Sequence, residues 1–325
     1  MPEIVANNNP IETSVANPLV DFDYATEAQA FLGHSEFIEL VGNDEIEKII
    51  AEVNQIEIND NLAQHEVVYD KRKNTFTVNN EIVTPGEVVA SRHQGTRIKF
   101  SDSIDSGFMG KKLKETYLKS LVRDAFTTKL NKVLAEKLAI TEAKKDALKS
   151  KAYSEIANRE GERSEQLGVI AESMMTGVAE MIAINRTDLH IVVEKANAYQ
   201  DVHEKIDFII KTKTKKRGVS TETGEIGFDE KNFGIQFSIN TDKAEHKMDQ
   251  INKSKGRELD VDDILLVMVD GQMLSKAINA WKSDGKKIRG PFSYLPKTTQ
   301  KATIEKLFGD ILGTEEEASL LKGFE

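Results

Sequence analysis

Asp207 and Gln236 are the polar residues whose settings in this 325-residue chain most demand a chemical explanation. Asp207 lies in the apolar stretch Ile206-Asp-Phe-Ile-Ile. A carboxylate in such a strand costs desolvation free energy unless a cation or hydrogen bonds compensate it. Gln236 is flanked by Ile235 and Phe237, and strand alternation puts Gln236 and Ser238 on one face and Ile235, Phe237 and Ile239 on the other. Polar oxygens at corresponding places on adjacent strands can converge on one hard cation. The upstream segment adds Glu165 and Glu172, one heptad apart with Gly168 between them. Each residue also has a plainer reading. Asp207 can pair with Lys205 or a nearby lysine, Gln236 can be an edge-strand amide, and the glutamates can be solvated helix residues.

These residues need elements to position them. Apolar spacing predicts a helix from about Ser164 to Ile184, then strands at Leu189–Glu194, Val202–Lys211 and Phe233–Asn240. The basic stretch from Thr212 to Gly227 reads as a linker between the second and third strands. Thr241 or Asp242 caps a polar helix to about Lys255. A strand at 263–270, apolar enough for burial on both faces, and a helix from Gln272 to Lys282 complete the order α-β-β-β-α-β-α.

An Asp in a Lys-Ile-Asp-Phe strand, followed by a strand centred on Gln and then by helix and strand, resembles the PD-(D/E)xK nuclease-like superfamily over residues 161–285. The resemblance implies an α/β domain with a mixed sheet flanked by helices, within a chain that is α+β overall. It further implies that Glu172 (or Glu165), Asp207 and Gln236 hold magnesium or manganese, with Asp207 and Gln236 catalytic, and that the activity is hydrolysis of nucleic-acid phosphodiester bonds. Ser238 stands where the family carries its catalytic lysine, and Lys205 is the nearest candidate to replace it. Lys211, Lys213, Lys215, Lys216 and Arg217 would hold the nucleic-acid backbone. The alternative is a catalytically inactive module of the same fold that binds nucleic acid or protein.

The rest of the chain frames this region. Residues 1–20 read as a flexible lead-in and 21–110 as an acidic α+β region. There Asp44 is a candidate N-cap, a hairpin spans 66–78, and a further short strand covers Ile82 to Val89. Residues 111–160 read as a basic helical connector, with a helical restart at Thr141, and 286–325 as a C-terminal helical extension. Residues 1–66 hold 14 acids against Lys48 alone, whereas 111–151 hold 12 Lys or Arg against 5 acids. Such polarity fits an anionic partner or a solvated lysine face. The apolar stripe of 111–139 is a candidate surface for self-association.

Several classes fall away. The chain has no cysteine, which excludes disulfide scaffolds, thiolate metal sites and cysteine nucleophiles. No phosphate-loop, dinucleotide or nucleophile-elbow motif is present, and the 6 histidines form no zinc-protease pair. The first 30 residues show no signal pattern and no apolar run approaches a membrane span, so a cytoplasmic protein without membrane contact is expected.

Overall fold

Alternating apolar and polar residues build two four-stranded sheets in the computed structural model. It describes residues 41–53, 63–143, 167–196, 200, 206–220, 226–239, 244–255, 259 and 261–324. Helix α1 (Asn43–Val53) begins one residue before Asp44, which therefore sits in the first turn rather than at the cap. The expected hairpin is present as β1 (His65–Asp70) and β2 (Thr75–Val78), antiparallel with Asp70 opposite Thr75. Strand β3 (Glu81–Val83) pairs with β2, and β4 (Ile98–Phe100) runs parallel to β1, giving the order β3-β2-β1-β4.

The strand expected over Ile82–Val89 stops at Val83, because a helix signal follows at once. Thr84 forms a capping box with Glu87 and Pro85 opens the first turn of α2 (Pro85–Ala90). Gly86 lets α2 press against the second half of the molecule. A Cβ there would lie 2.5 Å from the Met181 carbonyl oxygen and 2.7 Å from Asn185 Oδ1. The Gly86 N–H donates to that same Asn185 oxygen at 3.0 Å.

Helix α3 (Phe108–Ala143) is 36 residues long and passes through Thr141 without a restart. Its stripe residues Leu113, Tyr117, Val122, Phe126 and Leu130 are buried inside the chain. Leu113 and Tyr117 join Val67, Phe76 and Val88 in the core of the first sheet. The expected connector beyond Ala143, and the part of the expected acidic region before Val41, lie outside the described residues.

Helix α4 (Leu167–Asn185) opens the second half. By length and mean hydropathy it would suffice to cross a membrane, contrary to the expectation that no apolar run does. Here it is the central core helix, with Met174, Met175, Val178 and Ile182 packed on the second sheet. That sheet contains β5 (Ile191–Lys195), β6 (Phe208–Ser220), β7 (Ile226–Ser238) and β8 (Asp263–Met268), in the order β5-β6-β7-β8. The first two pairings are antiparallel and β7/β8 is parallel. Helix α5 (Ala244–Lys255) lies between β7 and β8 in sequence, and α6 (Gly271–Ser283) follows β8, capped by Asp270 accepting from the Met273 N–H. The element order is thus α-β-β-β-α-β-α, as expected.

Two details differ from the sequence reading. The stretch read as a linker continues as strand, so β6 reaches Ser220 and β7 starts at Ile226. Strand β8 is an edge strand among the described residues and is only partly buried, with Ile264 and Val267 buried and Met268 exposed.

The sheet separates two apolar layers. Phe208, Ile210, Phe233, Ile235 and Phe237 face α4, whereas Ile209 packs with Ile251 of α5 and Ile264. Helix α7 (Lys297–Phe308) and helix α8 (Thr314–Leu321) complete the α4-side core through Ile304, Leu307, Phe308 and Leu320. The C-terminal segment also joins the halves. His65 Nε2 lies 3.1 Å from the Lys286 carbonyl oxygen, and Ile288 enters the core of the first sheet.

Candidate functional site

A cleft of about 190 Å³ lies where α3, α4, β5 and the start of β6 meet the Ser91–Gln94 turn. Arg92, His93, Arg123, Asp124, Glu172, Glu180, Lys195 and Asp207 all line it, with Thr128, Ser173 and Thr176. Two sequence candidates, Glu172 and Asp207, therefore share one cavity.

Asp207 stands immediately before β6 rather than inside it. Its N–H donates to the Ile235 carbonyl at 2.8 Å and its Oδ2 accepts from the Phe237 N–H at 2.5 Å. These two bonds bracket Gln236, which lies one step beyond the Phe208↔Ile235 pair of the antiparallel register. Gln236 is buried, and its Oε1 has no hydrogen-bond partner. Since Ile235 and Phe237 face α4, alternation turns Gln236 and Ser238 to the other face of the sheet. Gln236 consequently does not line the cleft that Glu172 and Asp207 share. Among the described residues no group of three or more His, Asp or Glu is arranged to hold a metal.

Lys205 and Glu165 lie outside the described residues. Lys211 pairs with Glu194 at 2.7 Å and Lys213 with Glu230 at 2.5 Å. Lys215, Lys216 and Arg217 occupy the outer half of β6 and not a loop.

The cleft's inner wall is an ion cluster that the sequence reading did not foresee. The Arg92 guanidinium, 4% exposed, donates Nε to Asp124 Oδ2 at 2.7 Å and Nη2 to Glu180 Oε1 at 2.6 Å. Its Nη1 donates to Glu180 Oε2 and to the Val89 carbonyl. His93 Nε2 lies 3.0 Å from Glu180 Oε2. Burial alone would raise the Glu180 pKa, but its bonds with His93 and the charge of Arg92 outweigh that and hold it at about 2. Burial likewise opposes the Arg92 cation, yet Asp124 and Glu180 more than offset it, leaving Arg92 above its usual range. One signal was available: Glu180 interrupts the apolar run Val178-Ala-Glu-Met-Ile, just as Asp207 interrupts its own. Nothing in the sequence singles out Arg92 or His93.

Arg123 and Lys195 complete the lining. Arg123 Nη2 donates to the Val193 carbonyl at 3.0 Å, tying α3 to β5, and Lys195 is the last residue of that strand. No protein-family model, curated protein or solved structure matches the chain.

Proposed function

We propose that residues 161–285 are a PD-(D/E)xK-like domain and that the protein is a metal-dependent nuclease hydrolysing nucleic-acid phosphodiester bonds. The observation carrying this reading is the orphaned Oε1 of Gln236, the residue whose neighbours Ile235 and Phe237 both bond to Asp207. A buried carbonyl without a partner costs about 1–3 kcal/mol, and a cation shared with a neighbouring carboxylate removes that cost. The donor set suits magnesium or manganese, which take carboxylate and amide oxygens. Asp207 and Gln236 would hold the ion; Glu172 lines the cleft on the α4 side of the sheet, away from the Gln236 side chain, and would not join this pair. A bound ion would supply Lewis acidity and a water of lowered pKa. The chain's own contribution is to fix the Asp207 carboxylate on the Phe237 N–H and to offer cations along the cleft.

The sheet order, two antiparallel pairings followed by a parallel one, agrees with this assignment. So does the β6/β7 ribbon. Pairing with β5 ends at Thr212 and pairing with β8 begins at Phe233, so 213–220 and 226–232 run on as a two-stranded arm. Such a ribbon fits the major groove of a duplex, and it carries Lys213, Lys215, Lys216 and Arg217.

A second reading, an inactive binding or assembly module of the same fold, is favoured by Ser238, which is buried where the family's lysine would stand. Manganese separates metal-binding from metal-indifferent protein. Wild type should melt higher in millimolar manganese, because the ion binds only the folded state, and Asp207→Asn should lose the shift. A wild type indifferent to manganese removes the metal site. Metal-dependent melting without cleavage of DNA or RNA on a gel leaves the binding module.

A further inference from the structure

The cleft contains three basic side chains of lysine or arginine, and they are not equivalent. Arg92 is spent on Asp124 and Glu180. Arg123 and Lys195 have no carboxylate partner among the described residues, although carboxylates line the same cavity. Arg123 is half-buried and its guanidinium is fixed in place by the Val193 carbonyl, which leaves its remaining N–H donors uncommitted to any carboxylate. Lys195 lies two residues further along the same strand and on the same face as Val193. That spacing is roughly 7 Å along the strand, so both cations can address one ligand. Thr128 and Ser173 line the same cavity.

We propose that Arg123 and Lys195 form an oxyanion subsite that takes a phosphate group. The choice of phosphate among oxyanions rests on the phosphodiester reading above. The guanidinium supplies a planar fork of donors matched to two phosphate oxygens, while the ammonium supplies a point charge. This assigns α3, from the first half of the chain, a direct part in holding substrate, beyond the ribbon lysines.

Inorganic phosphate titrated into the full chain without divalent ions, read by calorimetry, tests the subsite. Wild type should bind, and Arg123→Gln and Lys195→Ala should each weaken binding by about tenfold or more, the loss of a charge-assisted contact. Arg123→Lys should recover part of the loss. Lys119→Ala, whose lysine pairs with Glu115 on the outside of α3, should bind as wild type does. A second arm adds a single-stranded oligonucleotide. If phosphate displaces the oligonucleotide and the same variants weaken it, the group recognised is a backbone phosphate. If only phosphate binds, the source is a small phosphorylated ligand. The subsite is overturned if wild type does not bind phosphate, or if neither variant changes the affinity. A protein that binds phosphate through these residues yet cleaves nothing retains the subsite and loses the nuclease reading.

Discussion

Two charge clusters face each other in one cleft, and they differ in how completely their charges are used. In the cluster of Arg92, His93, Asp124 and Glu180, both carboxylate oxygens of Glu180 are bonded and Arg92 has four acceptor atoms on three residues. Arg92 is 4% exposed and Glu180 8%. Clusters of this kind spend most of their donors on one another, and their chief effect is to fix the elements that carry them. Here those elements are the Ser91–Gln94 turn, α3 and α4. In the other cluster, Arg123 and Lys195 have no carboxylate partner among the described residues. An ionisable group in a cleft thus serves structure when its partners are complete, and can take a ligand when they are not.

The sharpest way to break this contrast is to open the closed cluster. Glu180→Ala leaves the buried Arg92 guanidinium with only the half-exposed Asp124 as a charged partner. Removing one member of a buried pair typically costs about 3–5 kcal/mol, so urea unfolding should show a loss of that order. Replacing both residues, Arg92→Met with Glu180→Leu, should recover most of it, since a well-packed apolar pair often substitutes without cost. A Glu180→Ala loss below about 1 kcal/mol would mean the cluster does not hold the halves together.

Acid should produce a smaller effect of the same origin. Glu180 is held at about 2, against 4.5 for an ordinary glutamate. The unfolded chain therefore binds the proton first, and the stabilisation from this carboxylate is fully present above about 4.5. It fades as pH falls through that value toward about 2. Stability measured across this window should fall less steeply in Glu180→Gln than in wild type. Equal slopes would assign the acid sensitivity to other carboxylates.

What the sequence made legible follows from the range of each signal. The hairpin at 65–78, the core helix α4 and the α-β-β-β-α-β-α order rest on local periodicity and turn residues, and they are present. The capping box at Thr84 is equally local and outweighs the β-branched run Ile82-Val-Thr that suggests a strand. The extension of β6 through Lys-Thr-Lys-Lys-Arg was hidden, because its polar residues look like loop until the pairing with β7 is known. Asp207 was found from its apolar neighbours, and Glu172 from its helix. Arg92 and His93 were not, because Glu180 stands 88 and 87 residues away in the chain. Only the fold supplies that contact.

The smallest expected effect tests the open cluster from the stability side. Lys195 is exposed at the end of edge strand β5 and has no ion-pair partner among the described residues. Its removal leaves no buried charge behind. Surface substitutions of this kind usually change stability by no more than about 0.5 kcal/mol. Lys195→Ala should therefore unfold in urea within that margin of wild type when no phosphate is present. If Lys195 serves a ligand, adding phosphate should raise the wild-type midpoint more than the variant's, by mass action on the folded state. A large loss without phosphate would instead make Lys195 a structural residue, and the contrast between the two clusters would then disappear.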